Sequence, residues 1–227
     1  MNIQKRFSQD NTGNKKQPEL ALWLKVGCFL LILAAALGYY VLTPLPAPGG
    51  HRADWPRSFA IVSENYFEDQ PPGQCSAYSA AFILRHMGYK SEGAAVYKQL
   101  NFKLPVSGYV LPKGVLQFMN SQGVSSRIFR GEETGSLKSA LYAGGNPVML
   151  IIGDGVRWQH YITLVGYDES LEDLYFYDSK KTADENGGLP GNRTISEDYF
   201  LELWDNGLPI FNQVYFIFEP KDTDRQS

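Results

Sequence analysis

The chain has 227 residues, enough for one domain of ordinary size plus an appendage, and its 21 basic against 24 acidic side chains give no electrostatic case for a nucleic-acid partner. It has only two cysteines, Cys28 and Cys75, which excludes a disulfide framework and a cysteine-rich zinc site. Its three histidines, His51, His86 and His160, give metal chemistry few ligands, so neither a metal nor a cofactor is expected.

Residues 1–18 are polar, carry Lys5, Arg6, Lys15 and Lys16 and have no apolar periodicity, which reads as a disordered cytoplasmic tail. Residues 20–42 are almost continuously apolar, interrupted by Lys25. About 20 such residues cross a bilayer as a helix, and the run lacks the polar face of an ordinary surface helix. Basic residues precede this run and none follows it over 43–50, so the positive-inside rule places the N-terminus in the cytoplasm and the remainder outside the cell membrane. The length of the run favours an uncleaved, single-pass signal-anchor over 19–43, with Tyr39 and Tyr40 as interfacial anchors. Residues 44–57 form a Pro/Gly spacer, 58–220 the globular domain, and 221–227 a second disordered tail.

Within the globular part, 60–62 can form a first strand. Pro71-Pro72-Gly73 cannot be helical, whereas apolar positions from Cys75 onward recur at helical spacing up to Gly88. Further helices are expected over 92–100, 112–119 and 136–143, the last ending at Gly144-Gly145. Beyond these, 147–152, 161–167 and 174–178 read as strands, the last two joined by a turn over 169–173. A helix over 197–204, capped by Ser196, and a strand over 214–218 close the chain. Helices first and an antiparallel sheet second make an α+β fold.

Cys75 sits at the mouth of its helix, where unpaired amides and the positive dipole end favour a thiolate. The plainer alternative is a small buried hydrophobe, which is what most free cysteines are. A nucleophilic cysteine needs a base and a group to orient that base. His160 begins one expected strand and Asp178 ends its hairpin partner, and antiparallel pairing brings the two together. Taken singly, the histidine can be an ordinary strand-edge residue and the aspartate a turn former. All three are expected to converge in one cleft. An oxyanion donor is also needed, and Gln70 and Gln74 are the candidates, Gln70 being preferred. His86 lies about three turns along the cysteine helix, too far to serve as base, and reads as a partner of the C-terminal dipole. Asn192-Arg193-Thr194 matches a glycosylation acceptor, a pattern short enough to arise by chance.

In order, the chain shows the glutamine and cysteine helix, Leu111-Pro112-Lys113-Gly114-Val115-Leu116, Gly145-Asn146-Pro147-Val148, His160-Tyr161-Ile162, Tyr175-Phe176-Tyr177-Asp178 and Tyr199-Phe200 before Trp204. This set, spread over about 58–218, resembles the papain-like cysteine peptidases, and among them the bacterial bacteriocin-leader (double-glycine) peptidases and their stand-alone relatives. The resemblance implies a papain-like fold, a peptide or protein substrate, Cys75 as nucleophile, His160 as base and acid, Asp178 as the orienting residue and Gln70 as oxyanion donor. Three departures stand out: Ser76 follows the cysteine where the family usually has a small residue such as glycine, Ser179 replaces the usual proline after Asp178, and Gln70 lies one residue nearer the cysteine than is commonest. The expected activity is a membrane-anchored, extracytoplasmic thiol hydrolase. Transpeptidase or acyltransferase activity, cell-wall amide hydrolysis and a catalytically silent peptide-binding module are the alternatives.

Overall fold

The computed structural model describes residues 17–42, 46–50, 54–61, 65–181, 186–208 and 211–221. The tails expected over 1–18 and 221–227 fall almost wholly outside the described residues, as do His51, the spacer residues 44–45 and 51–53, and Val62 of the first expected strand.

The chain divides into two compact units, 1–41 and 42–227. The first is one helix, α1 (Gln17–Leu42), in which Leu20–Gly38 is long and apolar enough to cross a bilayer and is not buried against protein. A signal sequence has the same character. Cys28 is exposed on this helix, well separated in sequence from Cys75.

The second unit is built on an eight-stranded sheet. Its elements are β1 (Ala47–Pro48), β2 (Ser58–Ala60), α2 (Cys75–His86), α3 (Gly93–Gln99), α4 (Pro112–Ser121), β3 (Val124–Arg130), α5 (Thr134–Gly144), β4 (Val148–Asp154), β5 (Trp158–Asp168), β6 (Asp173–Tyr177), β7 (Arg193–Ser196), α6 (Glu197–Trp204) and β8 (Val214–Pro220). The strand order is β1-β3-β8-β4-β5-β6-β7, with β2 pairing to β5. Every pairing is antiparallel except that of β1 with β3. β4 runs beside β5 only as far as Leu164, and β2 takes over opposite Gly166–Asp168 after a bulge in the β5–β6 ladder.

β1 and β3 were not expected from the sequence, nor was β7. Val124–Arg130 interrupts its apolar positions with two serines and two arginines, which blurs the two-residue period. β7 has only four residues after a Gly-Asn turn, and β1 falls within the expected spacer. The order is therefore not helices first and sheet second: β1, β2 and β3 precede most of the sheet in sequence and join it from its far edge and flank.

The main core lies between the sheet and helices α5 and α6. Leu137, Leu141, Leu150, Ile162, Phe176 and Trp204 meet there, each fully buried. Full burial of one such side chain stabilises by roughly 1.5–3 kcal/mol, so this layer fixes the sheet. A smaller cluster joins α2 to the sheet: Tyr177 of β6 lies between Phe82 of α2, at 4.2 Å between ring centroids, and Phe67, at 5.9 Å. This clamp seats the end of β6 against the helix that begins with Cys75. α2 has no polar face, as its burial from Cys75 through Leu84 requires.

Candidate active site

The turn before α2 follows from its residues. Pro72 presets φ, Gly73 takes φ +79°, and the Gln74 amide closes on the Pro71 carbonyl at 3.3 Å, as in a type II turn. A side chain at Gly73 would collide with the Ser107 carbonyl, its Cβ falling 2.1 Å away. The turn delivers Cys75 as the first residue of α2 without a side-chain cap, so the helix's first amides have no capping oxygen.

His160 and Asp178 come from β5 and from the end of β6, and the ladder pairs Thr163 with Tyr177. Nε2 of His160 lies 2.7 Å from Oδ1 of Asp178. An ionised carboxylate can only accept, so Nε2 carries the proton and donates it, which leaves Nδ1 for the thiol. Nδ1 is buried and makes no hydrogen bond within geometric limits. Thiol and ring are nonetheless close enough for each to shift the other's titration.

Those shifts run in the direction an ion pair needs. Burial opposes ionisation of Cys75, but the His160 interaction, the imidazolium charge and the amides of Tyr161 and Ser76 outweigh it and hold the thiol below its ordinary value. Burial likewise disfavours a charged His160, yet Asp178 and the thiolate raise it above the usual histidine range. Burial would raise the Asp178 carboxyl, but His160, the Lys180 amide and Arg193 hold it well below the usual carboxylate range. A cysteine buried among apolar groups alone titrates upward instead. Cys75 is 3 % exposed and His160 1 %, so little of either residue reaches solvent.

Gln70 joins the same assembly by another route. Its backbone N–H donates to the Ser179 carbonyl at 2.8 Å, and the Ser179 hydroxyl donates to Oε1 of the Gln70 side chain in a short contact. With Oε1 occupied, the Nε2 group is the free end of the side chain, and its contact to the Pro71 carbonyl is long, at 3.5 Å. Gln74 is half-buried and gives its carbonyl to the amides of Ala77 and Tyr78 at the start of α2. Segment 65–70 is anchored further by Arg85, which pairs with Glu68 and bonds Asn65 at 2.8 Å and the Tyr66 carbonyl at 3.1 Å. The Tyr177 hydroxyl donates to the Glu68 carbonyl at 3.1 Å. Cys75, His160, Asp178 and Gln70 are thus tied into one neighbourhood.

His86 bonds the Gly145 carbonyl at 3.0 Å, which ties α2 to the turn after α5, instead of only its own helix end. Sequence reasoning missed Asn192 and Arg193, both bonded to Asp178. Their acceptor motif concealed them, and Asn192 is fully buried, with its amide already engaged. Among the described residues no group of three or more His, Cys, Asp or Glu side chains is placed to hold a metal.

No protein-family model matches the chain, and no curated protein does. Solved structures do. The peptidase domain of Streptococcus ComA, described as a bi-functional ABC transporter involved in a quorum-sensing pathway, is 15% identical over 69% of this chain and 98% of that one, with a TM-score of 0.51. A double-glycine-motif protease from an AMS/PCAT transporter, solved with its leader peptide, is 20% identical over 78% of this chain and 98% of that one, at a TM-score of 0.48. Xylellain, a cysteine protease from Xylella fastidiosa, is 12% identical over 77% and 91%, at 0.44. The chain has an α+β, papain-like cysteine-peptidase fold, of the kind found in the ComA peptidase domain.

Proposed function

We propose that this chain is a membrane-anchored cysteine peptidase whose domain 58–220 faces the outside of a bacterial cell, with Cys75 as nucleophile. The observation that carries the reading is the 2.7 Å contact of His160 with Asp178, with the thiol of a helix-initiating cysteine coupled to the same ring. The Cys75 thiolate attacks a peptide carbonyl; the S–C bond forms and the carbonyl electrons move to oxygen, where the Cys75 amide and Nε2 of Gln70 donate. The His160 imidazolium gives its Nδ1 proton to the departing nitrogen as the C–N bond breaks, leaving a thioester. Water, deprotonated by His160, then attacks the thioester; the S–C bond breaks, the acid leaves and the thiolate–imidazolium pair returns. The apolar run Leu20–Gly38 supports the anchor, and the basic residues before it support an extracytoplasmic domain.

Iodoacetamide labelling of the full chain in detergent, in a Cys28→Ser background, tests the activated thiol. Cys75 is expected to react at neutral pH faster than an unperturbed thiol, and His160→Ala is expected to slow it. A Cys75 no faster than an ordinary thiol overturns the reading. The near-complete burial of Cys75 favours one rival, a catalytically silent peptide-binding module. Full cellular function in Cys75→Ser would select it.

A further inference from the structure

Two neighbouring residues around the start of β7 are bonded to Asp178, and the chemistry above uses neither. Asn192 accepts the Asp178 amide at 2.8 Å and donates to the carbonyls of Asp178 and Lys181 at 3.0 and 2.7 Å. Nη1 of Arg193 donates to Oδ2 of Asp178 at 2.6 Å, with the arginine side chain 29% exposed and the carboxylate fully buried. The two carboxylate oxygens are thereby divided. Oδ1 receives His160 and the Lys180 amide, the latter at 2.9 Å, and Oδ2 receives the guanidinium.

We propose that Arg193 is a positioning residue that sets the strength of the His160–Asp178 couple: by pairing with the far oxygen of Asp178 it offsets part of the carboxylate charge and keeps the imidazolium from being held too tightly to give up its proton. This inference rests on the proposed Cys75 chemistry. A buried carboxylate alone would act on the ring with its whole charge, and in a dry site such a field is large. An always-protonated guanidinium at ion-pair distance on the other oxygen opposes it. An acid whose proton is held too tightly is a poor donor to a leaving group, since catalysis is best when the acid titrates near the working pH.

The other charged and titratable groups around the ring act from different directions. Cys75 approaches from α2, and Tyr109 and Tyr161 stack on each other at 5.2 Å, both sensing the Cys75 charge. The Lys180 ammonium lies over the Trp158 ring at 5.6 Å. Of the side chains, only Arg193 makes an ion pair with Oδ2 of Asp178 among the described residues. A carboxylate that drifted on its removal would instead weaken its grip on the ring. Asn192 pins the Asp178 backbone on both sides and the Lys180 amide holds Oδ1, so the aspartate keeps its place and the charge effect wins.

The test is the titration of His160 by NMR in the full chain in detergent, labelled at its histidines and assigned with His160→Asn. In Arg193→Gln, or Arg193→Met should the first variant fold poorly, the midpoint of His160 is expected to rise by about 0.5 pH unit or more, roughly threefold in its ionisation constant. Arg193→Lys, which keeps the charge, is expected to stay near wild type. An unmoved or lowered midpoint in the neutral variants overturns the proposal, as does a lysine variant that behaves like the glutamine one. Because the readout needs neither substrate nor thiol reactivity, slow labelling of Cys75 would defeat the peptidase reading alone, while an unshifted histidine would defeat only the role of Arg193.

Discussion

Tyr177 of β6 is stacked on Phe82 of α2, with ring centroids 4.2 Å apart and planes 12° from parallel. The residue after Tyr177 is Asp178, and Phe82 lies on the helix that Cys75 begins, so this contact joins the carboxylate strand to the thiol helix. Phe82→Ala is expected to cost about 3–5 kcal/mol, as ring truncations in cores do. The check is thermal unfolding beside iodoacetamide labelling. Lower stability with labelling that has also slowed marks the clamp as part of the site, whereas lower stability with unchanged labelling of the folded protein would confine it to the core.

Removing His160 or Asp178 separates their roles. His160→Ala is expected to lower turnover of a responsive peptide by roughly 10²–10⁴-fold, the usual contribution of a general acid–base. Asp178→Asn keeps the shape of the residue but can no longer demand the Nε2 proton, so it is expected to lose activity to a similar degree. A fully active Asp178→Asn would show that the ring needs no orienting carboxylate.

The two glutamines can be told apart with a peptide aldehyde, whose adduct on Cys75 carries an oxyanion. Gln70→Ala is expected to weaken aldehyde binding by roughly 10²–10³-fold while leaving iodoacetamide labelling unchanged, since alkylation develops no oxyanion. Gln74→Ala is expected to bind normally. Ser179→Ala, which frees Oε1 of Gln70, is expected to lie between them. Reversal of the glutamine order would move the donor role to Gln74.

The dependence on pH follows from the directions of the shifts. Cys75 is held below its ordinary 9.0 and His160 above its ordinary 6.5. Activity should therefore rise on a limb below pH 9 as the thiolate forms, and fall on a limb above pH 6.5 as the imidazolium is lost. For stability, Asp178 is depressed below its ordinary 3.8, so its contribution is present above that value and lost as pH falls through the folded one. His160 contributes below pH 6.5 and loses that contribution as pH rises through its folded value. Denaturant unfolding across pH is expected to show both losses in wild type, with the acidic one much reduced in Asp178→Asn.

Asn192→Ala is expected to destabilise the fold by about 1–3 kcal/mol, because it takes the acceptor from the buried Asp178 amide and one donor each from the carbonyls of Asp178 and Lys181. Urea unfolding measures this, and mass spectrometry of the native protein is expected to find no glycan on Asn192.

The sequence made legible those features that follow from a strong local period or from turn chemistry. The apolar runs of β4, β5 and β8 and the helix after Pro71-Pro72-Gly73 were plain, and so was the hairpin that brings His160 to Asp178. β3 escaped because its serines and arginines break the alternation, and partners on both sides hold it as a strand. Arg193 escaped for a different reason. Its importance comes from standing across a ladder from Phe176, two residues before Asp178, and nothing in a Gly-Asn-Arg-Thr string reports which strand will lie beside it. Ser179 looked like a mere departure from the family pattern, but its hydroxyl and carbonyl both hold Gln70.

That last pairing joins two tasks that chemistry would otherwise keep separate. If Gln70 receives the substrate's oxygen and Asp178 steers the base, as proposed, the two roles meet at Ser179, which bonds the one and directly follows the other. On that proposal, a ligand that pulls on the glutamine also pulls on the strand end that aims the imidazole, which would tie occupancy of the oxyanion site to the readiness of the base.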